Sequence, residues 1–167
     1  MDVNHSILII KGKQFRAYPP EEGVAIIRTI AEHRWPMTIN EAFALRDQFG
    51  WKPAPDDGTI FTTPVSNGEE DGYIGNDVTD TSLVSRINFN LTTRLYSDAE
   101  PQIDHIIRSQ YSEYVNALNS LYGQGVTESS TVGMLNTWNL HLCAAIILEV
   151  ARRFIDVVIE SPAIGSD

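Results

Sequence analysis

The residues best equipped for covalent chemistry are Cys143 and His141, two positions apart in an apolar stretch. A thiol beside an imidazole can ionise and attack an electrophile. Positions two apart on a strand, however, share a face only as part of a packed row. A lone cysteine in an apolar run is more simply a core residue. The other histidines, His5, His33 and His105, have no metal-ligand spacing. Glu69-Glu70-Asp71 offers oxygens for calcium but lacks the alternating ligands and the distant glutamate of a calcium loop. The sequence contains no phosphate loop, dinucleotide fingerprint, His-Glu-x-x-His or Cys-x-x-Cys. Gly123-Gln124-Gly125 reads as a helix terminator. These residues point to binding rather than catalysis, with no cofactor and no metal expected.

Binding has a clearer signature. Residues 53–85 hold seven carboxylates (Asp56, Asp57, Glu69, Glu70, Asp71, Asp77 and Asp80) and no Lys or Arg. They account for most of the net charge of −10. Turn formers at Asp57-Gly58 and Asn67-Gly68 lie among them, so the charge is expected on display. Acidity also keeps a protein soluble, and composition by itself favours that plainer reading. A second candidate is the basic arm Lys11-Gly12-Lys13-Gln14-Phe15-Arg16, which mixes charge with an aromatic anchor. Its plainer reading is a strand-to-helix loop. The partner-binding candidates are therefore Glu69, Glu70, Asp71 and Asp77, with Lys11, Lys13, Phe15 and Arg16 second. Trp35, Trp51 and Trp138 are read as core.

The pI near 4.7 disfavours nucleic acid, whose phosphates need clustered Lys and Arg, and disfavours an anionic membrane surface. With 43% apolar residues, 167 residues can bury one sizeable core. One cysteine allows no internal disulfide. The start, Met1-Asp2-Val3-Asn4-His5, lacks the basic region of a signal peptide, and the apolar run 142–148 is too short to span a bilayer. The expectation is a soluble, cytoplasmic protein.

The elements that must position these residues follow from periodicity. Pro19-Pro20-Glu21-Glu22 starts a helix with the stripe Val24, Ile27, Ala31 and Trp35, which Pro36 stops. Thr38-Ile39-Asn40-Glu41 is a capping box for a second helix ending at Gly50. Residues 58–65 and 73–78 read as strands flanking Asn67-Gly68. Between residues 83 and 95, Ile87, Phe89 and Leu91 alternate with Arg86, Asn88 and Asn90. Ser97 with Glu100 is a further capping box for a long helix over about 98–122, carrying Ile103, Ile107, Tyr111, Tyr114, Leu118 and Leu121 at helical spacing. From Trp138 onward, β-branched residues and alternation favour three strands turning near Cys143 and Arg152. A polar stripe of Glu149, Arg152, Arg153, Asp156 and Glu160 keeps a helix open.

Trp35-Pro36-Met37-Thr38-Ile39-Asn40-Glu41-Ala42, Phe49-Gly50-Trp51, Val78-Thr79-Asp80, Trp138-Asn139-Leu140 and Ser161-Pro162 together resemble a group of small actinobacterial proteins of unassigned function. The resemblance covers roughly residues 20–162. It rests on caps, turns and core anchors, not on chemistry. Few glycines precede Trp138, a departure from the group's pattern that bears on the last strands' boundaries. The resemblance implies an immunity factor, of the kind that blocks the tuberculosis necrotizing toxin, an NAD glycohydrolase. No contact residue is carried over from it.

The reading is one α+β domain over 1–167, loose at its first and last few residues. A twisted antiparallel sheet packs against two N-terminal helices and one long central helix. The expected function is non-enzymatic: occlusion of a toxin domain with a positively charged cleft. The alternative is a secretion chaperone that holds a partner segment.

Overall fold

A computed structural model describes residues 6–10, 13–95, 101–129, 131, 133–141, 144–151 and 153–162, with the main chain alone at 6–10, 13, 14, 101 and 102. Lys11, Cys143, Arg152, the Ser97 and Glu100 cap, and both chain ends lie outside the described residues. The fold is α+β, with three helices and one large antiparallel sheet among the described residues, as the periodicity predicts.

Helix α1 spans Pro20–Ala31, with Pro20 at its first position and Glu21 and Glu22 in its first turn. There the missing amide and the negative charge both suit an N-terminus. Gly23 lets α1 approach the next helix layer: a Cβ there would lie 3.0 Å from the Tyr114 ring. The helix stops at Ala31, so Trp35 is not part of its stripe. The residue before a proline is pushed off the helical region. The chain tightens beforehand, the His33 amide bonding to the Ile30 carbonyl.

Helix α2, Ile39–Gln48, starts at Thr38, whose hydroxyl accepts from the Glu41 amide at 3.1 Å. The return half of the capping box is altered. The Glu41 carboxylate accepts from the Thr38 hydroxyl at 3.1 Å and lies 3.2 Å from His33 Nε2. The chain flanking Thr38 pairs with residues 82–84, the Ile39 amide donating to the Ser82 carbonyl at 2.9 Å and the Val84 amide to the Met37 carbonyl at 2.8 Å. Helix α3, Pro101–Tyr122, ends where Gly123 adopts φ +87°.

Ten strands complete the described residues. β1 (Ser6–Ile10) and β2 (Lys13–Ala17) form a separate hairpin. The other eight are β3 (Lys52–Pro53), β4 (Ile60–Thr62), β5 (Gly72–Asn76), β6 (Val84–Asn90), β7 (Val126–Ser129), β8 (Gly133–Asn139), β9 (Ala145–Ala151) and β10 (Ile155–Glu160). They pair antiparallel in the order β3-β4-β5-β6-β10-β9-β8-β7. The C-terminal region is thus three strands and not a helix. The β6–β10 junction is non-local and aligns Asn90 with Asp156 and Asn88 with Val158.

One face of the sheet carries the core. Ile74, Ile87, Phe89, Ile146, Leu148, Val157 and Ile159 join Ile27, Ile30, Leu45, Ile103, Ile107 and Leu118 of the helices in one cluster. Each such side chain contributes about 1.5–3 kcal/mol by leaving water. Trp51 stacks on Phe61 at 4.7 Å between ring centroids, and its indole N–H donates to the Tyr18 hydroxyl at 3.1 Å. Tyr114 donates in turn to the Tyr18 carbonyl, and Tyr111 to Asn136. Trp51 and Trp138 are core, as expected; Trp35 is half-buried at its edge.

The N-terminal arm needs correction. Residues 13–17 are a strand, and alternation turns Phe15 and Ala17 inward, 1% and 2% exposed. Phe15 is a core side chain and is not available as an exposed anchor.

A candidate carboxylate-rich binding face

The helices gather on one face, so the opposite face of the sheet carries Arg86, Asn88 and Asp156 beside Tyr73 and Val158. Alternation along β6 sends Arg86, Asn88 and Asn90 there while Ile87 and Phe89 face the helices. Register then fixes their neighbours. Asp156 sits between Asn90 on β6 and Glu149 on β9, and Asn88 sits between Tyr73 on β5 and Val158 on β10. Like charges opposed across strands are unfavourable, and Asp156 opposes Glu149.

Two carboxylates of this face are partly withdrawn from water. Asp71 Oδ2 accepts from the Asn90 amide at 2.7 Å, while its Oδ1 is buried without a partner among the described residues. Burial pushes the Asp71 carboxyl up to about 6; Glu69 adds to this, while its own amide, Arg94 and Asn90 oppose it. Asp156 also rises to about 6, first through burial and then through Glu149, against a 3.5 Å contact from the Asn88 amide and the charge of Arg94. The Arg94 guanidinium lies 4.1 Å over the Phe154 ring. No group of three or more His, Cys, Asp or Glu side chains among the described residues could hold a metal ion.

Beside these residues, the segment 76–83 rises from the end of β5 and ties itself together. Asp77 accepts from the Thr79 amide at 2.8 Å, the Thr79 hydroxyl at 2.6 Å and the Asp80 amide at 3.1 Å. These bonds hold the Asp77 carboxyl below its ordinary range. Asp80 does the same for Ser82, and the Asn76 amide donates to the Thr81 carbonyl. The segment displays Val78, 95% exposed, and bounds a groove of about 620 Å³ that Tyr73, Asp77, Arg86, Asn88 and Val158 help to line.

The sequence candidates fall into three groups. Asp77 lines the groove. Glu69 and Asp71 are half-buried and Glu70 is exposed, in the stretch leading into β5. Arg16 lies on the β2 hairpin, its amide 2.8 Å from the Thr93 hydroxyl, apart from the groove lining. The main chain of Lys13 belongs to β2 and Lys11 lies outside the described residues. Sequence reasoning did not pick out Asp156, Tyr73 or Val78. The alternation of Asn88 and Asn90 was visible, but their partners depend on the non-local β6–β10 pairing.

A helix-backed antiparallel sheet makes this an α+β protein. The chain belongs to a family of unknown function (DUF6301), whose model matches residues 21–161. No curated protein and no solved structure matches it. No helix among the described residues is long and apolar enough to cross a membrane.

Proposed function

We propose that this protein is a cytoplasmic immunity factor that binds a toxin domain and occludes its active site without chemistry of its own. The observation that carries this reading is the combination on one surface of carboxylates with exposed apolar side chains. Asp77 lines the groove that Tyr73 and Val78 border, and Glu69, Glu70 and Asp71 lie in the stretch leading into β5. A toxin that takes a phosphate-rich substrate needs a positive cleft, and an NAD glycohydrolase is the class that the sequence resemblance implies. Carboxylates steer association with such a cleft, while apolar contacts supply most of the affinity.

A secretion chaperone is the second reading. It is favoured by Val126 and Met134, exposed on the adjoining strands β7 and β8 at one edge of the sheet. A pull-down of the tagged protein against a panel of toxin domains, at low and moderate salt, separates the two. One stoichiometric toxin domain whose activity disappears supports immunity. An unfolded secretion substrate in its place supports the chaperone.

A further inference from the structure

We propose that Asp71 and Asn90 form a proton-operated latch: the protonated Asp71 carboxyl docks the acidic segment 67–71 on the sheet, and its ionisation releases the segment. The inference goes beyond the binding role proposed above. It concerns the isolated chain, whatever its partner.

The segment runs between two fixed points. Val65 is fully buried, and its carbonyl accepts from the Thr93 hydroxyl at 2.7 Å. Gly72, where β5 begins, lies directly against the Phe61 ring. Between them the chain turns at Asn67 and Gly68, with φ +55° and +84°.

Asp71 closes this turn onto the sheet. Two residues before Tyr73, which pairs with Asn88, it falls opposite Asn90. Asn90 is 2% exposed and donates its side-chain amide to Asp71 Oδ2 at 2.7 Å. That bond suits either protonation state. The other oxygen, Oδ1, is buried with no donor among the described residues. A neutral carboxyl tolerates such a place far better than a carboxylate, whose charge needs water or donors on both oxygens.

The surrounding charges do not cure this. Arg94 attracts Asp71, but its guanidinium lies 4.1 Å over the Phe154 ring and its Nε is itself buried without a partner. Glu69, on the segment, repels Asp71. Across Asn90 stands Asp156, with Glu149 beyond it, and the Tyr18 phenol ahead of α1 also feels Asp71. Burial accordingly pushes the Asp71 carboxyl up to about 6. Swinging outward returns the carboxylate to water and to its ordinary 3.8, at the cost of the Asn90 bond. Between those values the docked form holds a proton that the released form gives up. Docking is therefore strongest below about pH 4 and weakens about a hundredfold as pH rises through 6. Glu69 and Glu70 precede Asp71 on the segment, so the same step changes how they are presented.

The test follows two NMR signals of the intact protein between about pH 4 and 7: the Asp71 carboxyl ¹³C shift and exchange of the Asn90 side-chain amide protons, corrected for its intrinsic pH dependence. An Asp71 midpoint near 6 is expected, with Asn90 exchange rising about a hundredfold. Asp71→Asn keeps an acceptor for Asn90 and should make the corrected exchange independent of pH. Asp156→Asn removes the neighbouring carboxyl and should leave both signals as in wild type. An Asp71 midpoint near the ordinary 3.8 would overturn the proposal. So would a rise in exchange that Asp156→Asn abolishes. A rise matched by the backbone amide of Ile87, in the middle of β6, would mean loosening of the whole fold and would overturn it equally. No partner is present in these measurements, so the immunity reading stands or falls separately.

Discussion

Asn90, the last residue of β6, donates its side-chain amide to Asp71 at 2.7 Å and so ties the acidic segment to the sheet. One oxygen of that carboxylate is satisfied and the other is buried without a partner among the described residues. With Asp156 two strands from β5, the same face carries two carboxyls that ionise reluctantly.

Ionised Asp156 opposes folding at neutral pH. Its folded pKa is about 6 against an ordinary 3.8. Between those values the folded state keeps a proton that the unfolded state releases, so its stabilising contribution is full below about pH 4 and lost as pH rises through 6. Asp156→Asn should raise unfolding free energy at pH 7 by about 1–2 kcal/mol, a gain that fades toward pH 4. Urea unfolding of both proteins across that range checks it; a gain independent of pH would contradict the assigned shift.

Gly72 has no room for a side chain. An added Cβ would lie 2.1 Å from Phe61 Cε2, and Phe61 is fully buried against Trp51. Gly72→Ala should destabilise by about 1–3 kcal/mol through overpacking and alter the near-ultraviolet circular dichroism of the Trp51 cluster.

Thr38→Ala removes the acceptor for the Glu41 amide. A loss of about 1 kcal/mol is expected, read as a lower melting temperature.

What could be read from sequence was local. The α3 stripe from Ile103 to Leu118, the Thr38 cap and the Ile87-Phe89-Leu91 alternation each depend on residues within a turn or two. Their burial followed as expected. What escaped was set by distant pairing. The polar side chain of Asp156 fitted either a helix stripe or a strand until β6 lay beside β10. Asp71 looked like one more displayed charge because its partner, Asn90, is nineteen residues away. Phe15 looked available because a five-residue strand gives little alternation to read, and only its pairing with β1 sets its direction.

Reversing the charge at Glu69 and Glu70 tests steering. Glu69→Lys with Glu70→Lys should slow association with a basic toxin domain and flatten its salt dependence, leaving dissociation less affected. An on-rate equal to wild type would remove the acidic face from the binding pathway.

The most direct measurement is titration of a toxin domain's catalytic activity with this protein at fixed toxin concentration. Occlusion gives a linear fall to zero at one equivalent, with both chains recovered intact and activity returning on dissociation. Loss of activity at far less than one equivalent would mean turnover, and an unaffected toxin across every domain tested would mean that this face serves a different partner.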